Sequence, residues 1–181
     1  REVCTFLFVG QGLQRKGLHH LLHAWRRAGL EGARLIVVSS NVDPGIAPLL
    51  DQPGVTAERR LSDADLRERF AMANVFVMPS LIEGFGLVFL EALAAGCFCL
   101  GTENTGLPDL ALPETSVDYV EPGAVDALAA ALVATERRWR AGEIEPAAIA
   151  RQAAAFTMER FRRGVRDAVA RIENRILPAG D

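Results

Sequence analysis

Short, nearly continuous apolar runs recur along this chain, at Thr5–Val9, Arg34–Ser39, Val75–Met78 and Cys97–Gly101, with helical stretches between them. A strand with one face in water alternates apolar and polar residues, whereas a strand covered on both faces is apolar throughout. Such runs joined by helices specify a doubly wound parallel α/β sheet, with right-handed crossovers. Weaker strands are expected near Val55–Leu61 and Asp118–Val120. Helices are expected at Gly17–Ala28, at a short stretch Pro44–Leu50, at Asp63–Met72 behind Ser62 as cap, at Leu87–Ala95 and at Val125–Arg138. With 181 residues, 50% of them hydrophobic, the chain has enough apolar surface for a full core.

Charge and cysteine content narrow the function classes. Twenty basic and 23 acidic side chains leave a net charge of −3, which provides no electrostatic footprint for nucleic acid. No apolar run approaches the ~20 residues needed to span a bilayer, and no signal-peptide pattern is present. Cys4, Cys97 and Cys99 show neither C-x-x-C spacing nor further metal ligands. Cys97 and Cys99, alternating in an expected buried strand, read as small core residues, and the protein is expected in the reducing cytoplasm.

The most informative local feature is a pair of glutamates eight positions apart, Glu83 and Glu91. From Leu87 to Ala95 the helix is apolar on every side except at Glu91, the pattern of a buried helix. A carboxylate there needs a partner, because losing its hydration costs several kcal/mol. Either an Arg or backbone donors satisfy Glu91, or it faces a cleft and binds a polyol. Position favours the cleft: Gly84 and Gly86 lie in the turn after a buried strand, where ligands bind in open α/β sheets. The first amides of a helix starting near Gly86 lack intrahelical partners, and the macrodipole adds about half a positive charge, which suits phosphate. Gly84 and Gly86 let a ligand approach the backbone closely. Glu83 precedes this cradle, and Glu91 lies roughly 7 Å further along the helix axis. A nucleoside diphosphate sugar has the matching order of sugar hydroxyls, diphosphate and ribose hydroxyls.

The segment Pro79-Ser80-Leu81-Ile82-Glu83-Gly84-Phe85-Gly86-Leu87, with Glu91, resembles the E-x7-E signature of retaining GT-B glycosyltransferases of the family 4, or group 1, type. The likeness covers nearly the whole chain. Phe6-Leu7-Phe8-Val9-Gly10 followed by Lys16-Gly17 resembles the opening strand and phosphate loop of that family's C-terminal domain. Ala71–Ser80 resembles the lead into the signature. Gly96–Leu100, Gly106-Leu107-Pro108-Asp109 and Val120-Glu121-Pro122-Gly123 resemble the elements after it. The resemblance implies a Rossmann-like domain, the C-terminal half of a GT-B fold. It implies transfer of a sugar from a nucleoside diphosphate donor to an acceptor hydroxyl with retention of anomeric configuration.

By this resemblance Glu83 and Lys16 are the catalytic candidates. The donor-binding candidates are Glu91, Gly84, Phe85, Gly86, Leu87, Gly10, Gln11, Arg60 and Leu61. Glu91 would hold the ribose and Glu83 the donor sugar, while Lys16 and the amides of Phe85, Gly86 and Leu87 would meet the diphosphate. The Arg59-Arg60-Leu61 turn would lie beside the nucleobase. No metal or other cofactor is expected, and no Asp-x-Asp motif is present. Residues 1–140 would form the donor domain, and residues 141–181 a linker at Ala141-Gly142-Glu143 and C-terminal amphipathic helices. The acceptor domain would precede Arg1, so this chain by itself is expected not to transfer sugar. Its partners would be the nucleotide sugar and that missing domain. Two alternatives stay open: a nucleotide-sugar epimerase of GT-B shape, and a non-catalytic module binding nucleotide sugar or protein.

Three further features bear on the site. Gly10-Gln11-Gly12-Leu13-Gln14-Arg15-Lys16-Gly17 is neither G-x-G-x-x-G nor a P-loop. The resembled family usually carries an Arg five positions before the Lys. Gln11 stands there instead and donates a hydrogen bond but no charge, while Arg15 reads as a solvated loop residue. His19 and His23 have i, i+4 spacing without a third metal ligand nearby, so they read as polar residues of a surface helix. In the tail, Thr157 reads as an N-cap, with Phe156 and Phe161 as a hydrophobic staple. Phe161, Val165, Ala168, Val169, Ile172 and Ile176 make an apolar stripe opposite Arg160, Arg162, Arg163, Arg166, Arg171 and Arg175. This helix is expected to lie on its own domain, with docking to a missing domain or peripheral association with an anionic membrane as alternatives.

Overall fold

In a computed structural model of the chain, which describes residues 3–176 and side chains as far as Glu173, all six expected strands form one parallel sheet. In chain order they are β1 (Cys4–Val9), β2 (Ala33–Val38), β3 (Val55–Glu58), β4 (Val75–Val77), β5 (Phe98–Thr102) and β6 (Val117–Val120). The helices are α1 (Leu18–Ala28), α2 (Asp63–Met72), α3 (Leu87–Ala94), α4 (Val125–Arg140), α5 (Pro146–Ala153) and α6 (Met158–Ile176). The spatial order β3-β2-β1-β4-β5-β6 is that of a Rossmann-like fold. From β1 the chain winds outward through β2 and β3, then returns to place β4 on the other side of β1. Right-handed crossovers therefore put α1 on one face and α2 and α3 on the other. Helix α4 packs on α1, and α5 packs on α3. The doubly apolar strands supply the core between these layers, with Phe6, Leu7, Phe8, Phe76, Phe98 and Leu100 fully buried.

Where the structure departs from the sequence reading, the causes are physical. Strand β3 stops at Glu58 rather than running to Leu61. Arg60 takes a left-handed backbone, φ 53°, which no strand accommodates. Pro44–Leu50 yields only a 3-10 turn at Ala47–Leu50. Ser62 caps α2 as expected, in a reciprocal capping box with Asp65. Helix α5, which the sequence pattern did not single out, is anchored by buried Ile149 and Ala153 and by close approach of Gly96 to Pro146. His19 is half-buried rather than a surface residue, its ring 3.8 Å from that of half-buried His20, whereas His23 is exposed as expected. Burial first, and then neighbouring histidines, push His19 and His20 below the ordinary histidine value.

The tail corrects the expected seat of its helix. Thr157 does cap α6, its hydroxyl accepting from the Arg160 amide at 3.1 Å. The Arg160 guanidinium lies over the Phe156 ring, and Phe161 is 65% exposed, so the expected staple buries little. Val165, Val169 and Ile172 are exposed as well. The stripe is therefore not seated on its own domain; the Arg175 and Ile176 side chains lie outside the described residues. No helix among the described residues is long and apolar enough to cross a membrane.

Candidate functional site

The strand order reverses between β1 and β4, so the loops leaving these two strands border a crevice at the carboxyl edge of the sheet. The β1 loop passes through a 3-10 turn, Gln14–Lys16, and ends at Gly17 with φ 71°. The β4 loop runs from Pro79 to Gly86, which starts α3 with φ 73°. The two loops are pressed together: a Cβ on Gly17 would lie 1.9 Å from the Pro79 carbonyl oxygen. The Leu81 amide donates to the Arg15 carbonyl at 2.9 Å.

Across this seam the charges meet. Lys16 forms an ion pair with Glu83, and Arg15 Nη1 reaches the same carboxylate oxygen, Oε2, at 3.1 Å. The Gly84 amide donates to Glu83 Oε1 at 3.1 Å. Burial pushes the Glu83 carboxyl up, but the Lys16 hydrogen bond and charge, the Gly84 amide and the Arg15 charge together hold it below the ordinary value. A depressed native pKa means that the pair's stabilisation is complete above the ordinary glutamate value of about 4.3. It is lost as pH falls through the lower native value. Thermal unfolding of the wild type and of Glu83→Gln should therefore differ at neutral pH and converge in acid. A gap independent of pH would mean that Glu83 stabilises the loop without its charge.

Helix α3 begins without a side-chain cap, and the amides of Phe85, Gly86, Leu87 and Val88 have no acceptor among the described residues. Only glycine sits comfortably at position 86, where φ is positive and a Cβ would come within 3.0 Å of the Phe89 ring. At Gly84 the space around a Cβ is empty within 4 Å, leaving the cradle open. The expectation that α3 is buried all round is corrected. Phe89, Ala92 and Leu93 face the core, while Leu87 is 66% exposed and Glu91 is exposed as well. The other side of the helix is exposed, so its apolar residues are not all core residues, and Glu91 needs no buried partner.

The remaining sequence candidates occupy the same carboxyl edge at different distances from the seam. Gly10 follows β1, its amide bonded to Val38. Gln11 is exposed, and its neighbour Gly12 is tied to Asn41 and Ser39, on the β2 side of the loop. Arg60 and Leu61 follow β3, two strands from β1; Arg60 is exposed and Leu61 packs partly against the core. Asn104, after β5, was missed by sequence reasoning. Its side chain donates to the Leu81 carbonyl and its own carbonyl accepts from the Glu83 amide, both at 3.0 Å, so it holds the glutamate-bearing loop from behind. Arg15 was read as solvated, which the contact with Glu83 corrects. A sequence signal exists for neither, because both meet the loop only through the strand order.

The arrangement can hold an anion between two cations and a row of free amides, with carboxylates on either side as hydroxyl acceptors. The MMP alpha-(1->4)-mannosyltransferase of Mycolicibacterium hassiacum is 34% identical over 124 residues, which is 65% of this chain and 30% of the relative. Sucrose-phosphate synthase from Thermosynechococcus elongatus superposes with a TM-score of 0.75 at 23% identity, covering 99% of this chain and 47% of that one. The pneumococcal O-GlcNAc transferase, solved in complex with UDP and GlcNAc, superposes with a TM-score of 0.72 at 16% identity over 95% of this chain and 36% of its own. The chain thus spans less than half the length of each of these three proteins. The family profile of the Glycosyl transferases group 1 matches residues 3–136, and the chain belongs to that family.

Proposed function

We propose that this chain is the donor-binding half of a retaining glycosyltransferase, which moves a sugar from a nucleoside diphosphate to an acceptor hydroxyl. The observation that carries this reading is the meeting of Lys16 and Glu83 at the β1–β4 reversal, beside the uncapped start of α3. The pneumococcal neighbour's complex with UDP and GlcNAc supports a nucleotide sugar as donor. Glu91, in the fifth position of α3, accepts from the ribose hydroxyls, and Glu83 from those of the donor sugar. As the bond to the leaving diphosphate breaks, negative charge grows on its oxygens. Lys16 and the Phe85, Gly86 and Leu87 amides are already oriented to receive it, so no reorganisation is needed at that moment. In this scheme the positive charge comes from the chain and no metal is used. Three free cysteines without a disulfide fit action in a reducing cytoplasm.

Glu91 supplies the test. In this reading Glu91→Ala weakens binding of the diphosphate and of the bare nucleoside alike, by about 1.5–3 kcal/mol, the range for hydrogen bonds to a charged group. Calorimetric titration with UDP, GDP and ADP, and with the nucleoside of the tightest, measures it. Unchanged nucleoside affinity in Glu91→Ala would remove Glu91 from the ribose and leave the donor orientation unsupported.

A further inference from the structure

We infer that Arg15 is a second diphosphate-binding cation of this chain, held by Glu83 in the ligand-free state and handed to the diphosphate when the donor arrives. The inference rests on the proposed donor site and deepens it. Two cations converge on one carboxylate oxygen, Glu83 Oε2, from different depths: the Lys16 side chain is 14% exposed and that of Arg15 47%. The two cations therefore share the single negative charge of one carboxylate. A diphosphate offers several anionic oxygens and can give each cation its own.

The position of Arg15 is built rather than incidental. Its carbonyl accepts from the Leu81 amide, and its Nη1 also donates to the Ile82 carbonyl at 3.2 Å. The guanidinium therefore lies along the loop that leads into the free Phe85 and Gly86 amides. Gly17 presses the same turn onto Pro79, so the backbone carrying both cations is fixed. Nη1 uses its two hydrogens on Ile82 and Glu83, while Nη2 and Nε have no partner among the described residues and remain available to a ligand. Gln11, by contrast, brings no charge and sits on the β2 side of its loop. Position 15 thus restores the second positive charge from the opposite end of the same loop.

The exchange predicts opposite signs for two substitutions. Arg15→Gln should lower affinity for the tightest of UDP, GDP and ADP about tenfold at low salt, leave its nucleoside unchanged, and recover most of the loss as Arg15→Lys. Glu83→Gln should raise diphosphate affinity severalfold by freeing the cations, and this gain should shrink when combined with Arg15→Gln. Isothermal titration of the four variants and the wild type reads all of these. Arg15→Gln binding within twofold of wild type, or a Glu83→Gln gain that is equally large without Arg15, overturns the inference while leaving the donor site standing. A wild-type chain that binds none of the three diphosphates overturns both.

Discussion

Replacing Gly17 by Ala is expected to destabilise the chain by about 2–5 kcal/mol. Position 17 has φ 71°, and a non-glycine residue in the left-handed region costs about 1–2 kcal/mol. The added methyl would also lie 1.9 Å from the Pro79 carbonyl oxygen, a backbone atom that no rotamer change can remove. Relief requires separating the β1 and β4 loops, and overpacking of this kind typically costs a further 1–3 kcal/mol. For a chain of this size the sum corresponds to a fall in Tm of roughly 4–20 °C. Gly29→Ala is the control, since φ there is 56° but nothing lies within 4 Å of the new Cβ. It should cost only the backbone part. Equal shifts for the two variants would show that contact with Pro79 does not hold the seam together. Gly17→Ala should also weaken nucleotide binding beyond its effect on stability, because the displaced turn carries Arg15 and Lys16.

Lys16→Ala is expected to lower nucleoside diphosphate affinity by about 1.5–3 kcal/mol, roughly ten-fold to 150-fold, and to leave nucleoside affinity unchanged. The ammonium is three-quarters or more enclosed by the two loops and faces Glu83, so its charge acts at short range and is screened little by salt. Arg15 remains on Glu83 in this variant, so the carboxylate is not stranded and the fold should persist. A parallel loss for nucleoside and diphosphate in the titration would mean that Lys16 shapes the loop instead of meeting phosphate.

How much of this was legible in the sequence follows from the range of each interaction. The four apolar strands were legible because burial on both faces leaves no polar position to disguise them. Ser62 was legible as a cap because a capping box spans only four consecutive residues, here Ser62 to Asp65. The end of β3 was not, since it depends on one left-handed residue, Arg60, whose side chain carries no such signal. Helix α3 was misjudged for a different reason: its apolar residues serve two surfaces, the core through Phe89, Ala92 and Leu93, and the exposed side through Leu87. Periodicity cannot tell a buried side from a side kept for a ligand or another domain. The same ambiguity attends α6, whose stripe was expected on its own domain and is exposed. Helix α5 escaped notice because it is short and Ala-rich, and only contact with α3 reveals its buried side.

Glu83, Gly84, Gly86 and Glu91 were recognisable together because they lie within nine consecutive residues, and helical rise alone sets their spacing. Local periodicity likewise determined the element types and the α/β class. Only the tertiary structure decided which charges meet. Lys16 and Arg15 reach Glu83 across 67 and 68 positions, and Asn104 supports the same loop from beyond β5. Those meetings exist because the chain returns from β3 to lay β4 against β1, and that choice of neighbour is set by long-range packing of strands that look alike in sequence.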